Sequence, residues 1–120
     1  MHEVSLAERM LRIALEVAGK HGSPRITGAR LLLGALASAE PETLRFAFEI
    51  ASRGTLAEGC KLEIVHVPAK LKCRDCGAEH EGELLDPCPV CHAVGCEVLQ
   101  GRELRLESVD LDDAPAASGA

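Results

Sequence analysis

The sequence predicts an α+β fold in which two helices pack on a small three-stranded sheet, with a cysteine-rich domain inserted between the second and third strands. Two observations lead to this fold class. Apolar residues recur at helical spacing in two segments and alternate or cluster in three others. The interval before the last strand differs in composition, because it contains four of the six cysteines and several glycines and prolines at turn positions.

The first helix is predicted from a start signal and a stripe. Ser5 and Glu8 have the spacing of a capping box, in which each side chain satisfies a backbone N–H of the first turn. We therefore expect the helix to begin at Ser5, with the first four residues just outside it. The apolar stripe that follows consists of Ala7, Met10, Leu11, Ala14, Val17 and Ala18. Gly19 and Gly22 are available to end the helix.

The second helix is predicted to open at Pro41, since proline suits the first turn. Its stripe is Leu44, Ala47, Phe48 and Ala51, and Gly54 is its stop. The three strands are predicted at 29–36, 61–67 and 103–109. With no Trp or Tyr, the core has to be built from aliphatic residues together with Phe46 and Phe48.

Composition excludes several classes of function. A net charge of −6 without a basic block disfavours binding to nucleic acid, which needs clustered positive charge. The longest apolar run, residues 29–39, is too short to span a bilayer, so no membrane association is expected. The start lacks a basic segment followed by an apolar one, which favours a cytoplasmic protein. In that compartment cysteines are metal ligands or free thiols more often than disulfides.

Two Cys-x-x-Cys knuckles indicate a structural zinc site in a zinc-ribbon-like domain. Cys73 and Cys76 form one pair, Cys88 and Cys91 the other, with eleven residues between the pairs. Two such turns complete a closed tetrahedral shell of four thiolates. We assign residues 1–67 and 102–110 to the α+β domain, 68–101 to the zinc-binding domain and 111–120 to a disordered tail.

Other interpretations of the knuckles are weaker. Cys88-x-x-Cys91-His92 alone matches a haem c attachment pattern, but a second cysteine pair lies nearby and no export signal is evident. A thioredoxin-like redox pair would precede a helix, and neither knuckle is followed by helical periodicity. Acidic residues between the knuckles disfavour a ribbon that faces phosphates. Cys60 and Cys96 lack partners at ligand spacing and are interpreted as small buried hydrophobes.

The first residues form a possible chelate. A free α-amino nitrogen and the deprotonated amide of His2 would close one ring on a metal, and that amide with the imidazole Nδ1 would close a second. The amide of Glu3 or another donor completes the set. Tetragonal nitrogen ligands suit Ni(II) or Cu(II). The alternative interpretation of His2 is an exposed residue without a role.

Several segments together resemble the HypA family of hydrogenase nickel-incorporation proteins. They are the start MHEVSLAERML, the central PETLRFAFEIASRGTLAEGCKLEIVHVPA, the knuckles CRDCG and CPVCH, and GRELRLESVDL near the end. The resemblance implies nickel at Met1 through its amine, His2 and Glu3. It implies structural zinc at the four knuckle cysteines. The implied fold, two helices on a three-stranded sheet plus a zinc domain, agrees with the elements derived above.

The resemblance also implies a function. The protein would be a metallochaperone that binds Ni(II) transiently and delivers it for maturation of [NiFe]-hydrogenase, a role that extends to urease in some organisms. Its partners would be a nickel-handling GTPase and the precursor of the hydrogenase large subunit, and it would act as a monomer or weak dimer. Some family members bring a histidine of the zinc domain to nickel; the candidate is His92, although a solvated loop histidine is the favoured interpretation.

Two alternatives belong to different classes. One is a zinc-stabilised interaction or regulatory module in which His2 is inert, so that partner binding does not depend on nickel. The other is a thiol enzyme that uses Cys60, Cys96 or a knuckle cysteine. No Cys-His-Asn set can be assigned, so we expect no enzyme activity.

Overall fold

A computed structural model describes residues 2–113, and Met1 and residues 114–120 lie outside the described range. The elements in chain order are α1 (His2–His21), β1 (Ile26–Gly34), α2 (Pro41–Ser52), β2 (Lys61–Val67), β3 (Lys70–Cys73), β4 (Glu79–Glu81), β5 (Cys96–Gln100) and β6 (Leu104–Leu111). The predicted α+β class with two helices is confirmed. Within residues 2–113, neither helix is long and apolar enough to cross a membrane.

The chain forms two compact units. The first unit comprises residues up to 31, residues 39–64 and residues from 105 onward; the second comprises residues 32–38 and 65–104. The second unit thus includes the whole interval 68–101 that the sequence assigned to the cysteine-rich domain, and it also includes part of β1 and the turn that follows it.

Helix α1 begins at His2, so the expected start at Ser5 is wrong. The physical reason lies outside the helix itself. The backbone N–H of Glu40 donates a hydrogen bond of 3.0 Å to the Glu3 carboxylate, and Glu3 is only 9% exposed. This tertiary contact fixes the first turn, and an acidic side chain there also interacts favourably with the helix dipole.

The two helices of the first unit pack against each other, with alanines and two larger side chains on α1 facing large side chains on α2. The α1 side is buried at Ala7, Met10, Leu11, Ala14 and Ala18. Leu44 and Phe48 are buried on α2, where Phe48 is 2% exposed. The prediction that Phe46 also belongs to the core is wrong, because it is 60% exposed. A helix turns about 100° per residue, so Phe46 and Phe48, two residues apart, lie on nearly opposite faces of α2.

Helix α2 is capped at both ends. The Glu40 carboxylate accepts hydrogen bonds from the hydroxyl and the backbone N–H of Thr43, which lower the pKa of Glu40. Pro41 follows as the first helical residue. At the other end the backbone N–H of Arg53 donates to the Ile50 carbonyl, and Gly54 has a φ of 77°. The predicted helix bounds are therefore close to the observed ones.

The first sheet has the order β2-β1-β6, with β1 in the centre. Strand β1 begins and ends earlier than the predicted 29–36. Its end is set by a close approach of backbones, because a Cβ on Gly34 would lie 2.0 Å from the Gly101 carbonyl oxygen. The Gly34 N–H donates to the Glu103 carbonyl. Only glycine leaves room for this contact.

Strand β6 ends at Leu111, beyond both the predicted strand 103–109 and the predicted domain end at residue 110. It includes Leu111, and the Asp112 N–H donates to the Arg25 carbonyl while the Ser23 hydroxyl donates to the Asp112 carbonyl. The expectation of disorder from residue 111 is therefore wrong for Leu111 and Asp112. The rest of the predicted tail, from 114 onward, lies outside the described residues.

The second sheet, of order β4-β3-β5, is an element that the sequence analysis missed. Strand β3 pairs antiparallel with both neighbours, and Leu71 on it is fully buried. The strands are three to five residues long and β4 reads Glu-His-Glu, so there is little apolar alternation to detect.

The contrast between the two phenylalanines of α2 gives a stability test. Phe48→Ala should lower the free energy of unfolding by about 3–5 kcal/mol, because it opens a cavity between the helices. Phe46→Ala, the matched control on the same helix, should change it by no more than about 0.5 kcal/mol. Denaturant unfolding followed by helical circular dichroism measures both; equal effects would contradict the assigned core.

Candidate metal centres

Four sulfur atoms converge in the second unit. The Sγ atoms of Cys73, Cys76, Cys88 and Cys91 all lie within 4.8 Å of one another. The Cys73 and Cys91 sulfurs are 3.6 Å apart, as are those of Cys76 and Cys88. Tetrahedral metal–sulfur bonds of about 2.3 Å hold their sulfurs about 3.8 Å apart. The cluster brings together the four cysteines that the spacing singled out, at the separation a four-sulfur metal site requires.

The two knuckles have the same backbone turn. In the first, the Gly77 N–H donates to the Cys73 carbonyl and the Cys73 N–H to the Ala78 carbonyl. In the second, the His92 N–H donates to the Cys88 carbonyl and the Cys88 N–H to the Ala93 carbonyl. The equivalent residues Gly77 and His92 both have positive φ, 78° and 67°.

The same turn directs backbone N–H groups at the first sulfur of each knuckle. The Val90 and Cys91 N–H groups donate to the Cys88 sulfur at 3.4 and 3.5 Å. Hydrogen bonds from Cys91 and Val90 lower the pKa of the Cys88 thiol to about 6. In the first knuckle, backbone hydrogen bonds from Cys76 and Asp75 lower the pKa of the Cys73 thiol. Because the thiolate is the metal-binding form, the backbone N–H groups of each turn favour the metal-binding form of one cysteine.

The shared turn accounts for the backbone conformation of His92. It occupies the position that Gly77 occupies in the other knuckle, so its backbone closes the turn, and its side chain is exposed. In the structure, His92 therefore contributes to the knuckle through its backbone, which closes the turn.

The other predicted site lies at the start of α1. The His2 side chain is 52% exposed, and its Nε2 is 4.0 Å from a carboxylate oxygen of Glu3. The N–H groups of a helical first turn have no acceptor within the helix. The amide nitrogen of His2 can therefore act as a ligand without loss of a helical hydrogen bond. Met1 lies outside the described residues.

The Glu3 carboxylate has a structural contact. The backbone N–H of Glu40 and that of Glu3 itself lower the pKa of this carboxyl to about 2, so it is ionised at neutral pH. Sequence reasoning missed Glu40 as its partner. The available signal was the place of Glu40 directly before Pro41, where a helix N-terminus presents unpaired N–H groups.

The remaining two cysteines lie outside the cluster. Cys60, in the first unit, is half-buried, and burial raises the pKa of its thiol. Cys96 is half-buried at the start of β5. The expectation that both are buried hydrophobes is therefore only partly met.

The fold and the cluster define a small metal-binding protein with a four-cysteine centre in one unit and a helical pair in the other. A family model described as hydrogenase/urease nickel incorporation, metallochaperone, hypA matches residues 1–111. The chain therefore belongs to the HypA family, as the resemblance of its motifs indicated.

Similarity to individual proteins supports membership of this family. The chain is 43% identical over 113 residues to the hydrogenase maturation factor HypA of Acidithiobacillus ferrooxidans, covering 93% of this chain and 100% of the relative. It is 38% identical over 117 residues to the hydrogenase maturation factor HybF of Salmonella typhimurium, with the same coverage of both.

The fold is also similar to solved structures of this family. The solution structure of the Ni metallochaperone HypA from Helicobacter pylori matches with a TM-score of 0.65 and 25% identity, covering 92% of this chain and 97% of that one. A second HypA solution structure matches with a TM-score of 0.70 and 26% identity, covering 92% and 96%.

Removal of metal by a chelator should unfold the cysteine cluster and its sheet while α1 and α2 remain helical, because the second unit has few large buried side chains of its own. Amide exchange should show lost protection across β3–β5 and retained protection in the helices. Cys88→Ser should reproduce the loss, and Cys60→Ser, outside the cluster, should not. Cooperative loss of both units would contradict this division.

Proposed function

We propose that this protein binds Ni(II) at its amino terminus and delivers it for maturation of [NiFe]-hydrogenase. The observation that supports the proposal most directly is the exposed His2 imidazole on the first residue of α1, where the His2 amide nitrogen has no acceptor within the helix. The ligands are the Met1 amine, the amide and imidazole nitrogens of His2, and the amide nitrogen of Glu3. Such a nitrogen set is typical of square-planar Ni(II).

Charge supports an amide-bound ion at this position. The N-terminus of a helix carries a partial positive charge, which disfavours a bare cation there. Two amide nitrogens that lose their protons on binding cancel the charge of Ni(II). The chelate itself is therefore neutral when loaded, and rising pH should strengthen binding because protons compete with the metal for nitrogen.

Glu3 contributes to the proposed site through its backbone nitrogen and through its carboxylate. Its backbone nitrogen is the ligand, while its carboxylate stays with the Glu40 N–H and holds the first turn against the start of α2. This arrangement fixes the direction of the chelate without using the carboxylate as a ligand.

The four cysteines hold zinc in this proposal. Four thiolates leave no open coordination position, so zinc acts as a structural ion that replaces a hydrophobic core. No catalytic chemistry is assigned to the protein. Its mechanism is ligand exchange, in which an acceptor displaces the terminal nitrogens one at a time.

The relatives are hydrogenase maturation factors, and the family description adds urease. We propose that the protein is cytoplasmic and acts as a monomer or weak dimer. Its acceptors are a nickel-handling GTPase and the precursor of the hydrogenase large subunit, and urease maturation is a second destination in organisms that have that enzyme.

A nickel titration of zinc-loaded protein with its native, untagged terminus tests the proposal. Wild type should bind about one Ni(II) with the visible absorption of a planar nitrogen complex. His2→Ala, and a variant with one residue added ahead of Met1, should lose this absorption. Calorimetry gives the stoichiometry and affinity.

Two controls make the titration specific. His21→Ala removes an exposed histidine at the other end of the same helix and should leave binding unchanged. Glu3→Gln should retain the planar spectrum, because the backbone nitrogen remains. Equal binding by wild type, His2→Ala and the extended variant would refute the terminal site and favour a zinc-stabilised interaction module.

Delivery requires a separate experiment. In a host that lacks its own family member, wild-type protein and His21→Ala should restore hydrogenase activity, whereas His2→Ala should restore little of it. Protein levels and zinc content are measured in parallel. Full restoration by His2→Ala would show that the protein acts without the terminal nickel site.

A further inference from the structure

Cys96 lies directly opposite a knuckle cysteine. Strands β3 and β5 pair antiparallel, and in their register Cys73 is the partner of Cys96. The Arg74 N–H donates to the Gly95 carbonyl at 3.2 Å, which places the flanking hydrogen bond one residue beyond the pair. The Cys73 and Cys96 positions therefore form a non-hydrogen-bonded pair of the ladder.

This pairing has the geometry of a disulfide site. Residues at a non-hydrogen-bonded position have Cα atoms about 4.5 Å apart and side chains on the same face of the sheet. Disulfides join cysteines whose Cα atoms are about 4.4–6.8 Å apart. Cys73 and Cys96 can therefore be joined with little movement of the backbone.

Cys96 is a thiol outside the four-sulfur cluster. Its Sγ donates a hydrogen bond of 3.7 Å to the Leu84 carbonyl, and its side chain is half-buried. Cys73, in contrast, is 2% exposed and its sulfur belongs to the cluster. The sheet thus places a thiol that binds no metal next to a metal-ligating thiolate.

We propose that a hydroperoxide joins Cys96 to Cys73 and so removes one ligand from the metal centre. The Cys96 sulfur attacks hydrogen peroxide, the O–O bond breaks, and a sulfenic acid and water form. The Cys73 thiolate then attacks the Cys96 sulfur, an S–S bond forms, and the S–O bond breaks with loss of hydroxide. Both sulfurs are oxidised and the peroxide is reduced to water.

The disulfide makes the metal centre sensitive to oxidant. A sulfur in a disulfide is no longer a thiolate, so three ligands remain at the cluster and zinc is held less tightly. A thiol reductant reverses the reaction, restores the fourth ligand and allows zinc to rebind. The inference concerns the second unit and does not depend on nickel binding.

The test treats zinc-loaded wild type, Cys96→Ser, Cys96→Val and Cys60→Ser with hydrogen peroxide. A chromogenic chelator follows zinc release, and free thiols are then alkylated. Cleavage at basic residues and at glutamates, followed by fragment sequencing, locates the disulfides. Wild type and Cys60→Ser should form the Cys73–Cys96 disulfide and release zinc several-fold faster than both Cys96 variants. Dithiothreitol with added zinc should restore the metal content.

Two results would overturn the proposal. One is zinc release from both Cys96 variants at the wild-type rate. The other is a wild-type disulfide map in which the oxidised pairs lie only among the four knuckle cysteines. Zinc content is measured before oxidation and the map is made on fully loaded protein, because knuckle cysteines without metal lie close enough to pair with one another.

Discussion

The second unit depends on the convergence of four sulfur atoms. Strands β3–β5 are short, and the large aliphatic side chains buried in the unit are Leu33 and Leu71. A sheet of this size has too little apolar surface to offset the entropy of ordering its chain. A metal bound by four thiolates supplies that free energy, and the knuckle turns direct backbone N–H groups at two of the sulfurs.

The first unit positions the terminal site by a different contact. Glu3 accepts from the first backbone N–H of the α2 cap, and Glu40 in turn accepts from Thr43. This relay ties the start of one helix to the start of the other. The ligands proposed for nickel then lie on a turn with a defined direction, while the exposed imidazole remains accessible to a protein that receives the nickel.

The sequence predicted those features that are local. Knuckle spacing identified the four cysteines, and periodicity found both helices and the strands of the first sheet. The start of α1 was misplaced because its first turn is fixed by Glu40, which is distant in sequence. The β4-β3-β5 sheet was missed because its strands are too short and charged to alternate, and Phe46 was misassigned because composition alone does not specify a helix face.

The matching turns of the two knuckles amount to an internal repeat, in which Cys73 and Gly77 correspond to Cys88 and His92. The most readily ionised thiol is the first cysteine in both copies. Backbone hydrogen bonds therefore favour the thiolate form at one cysteine of each copy, and a metal bound by these two sulfurs bridges the repeats. Such a pair of bonds closes the loop between the copies, so metal binding carries the entropic cost of ordering that loop.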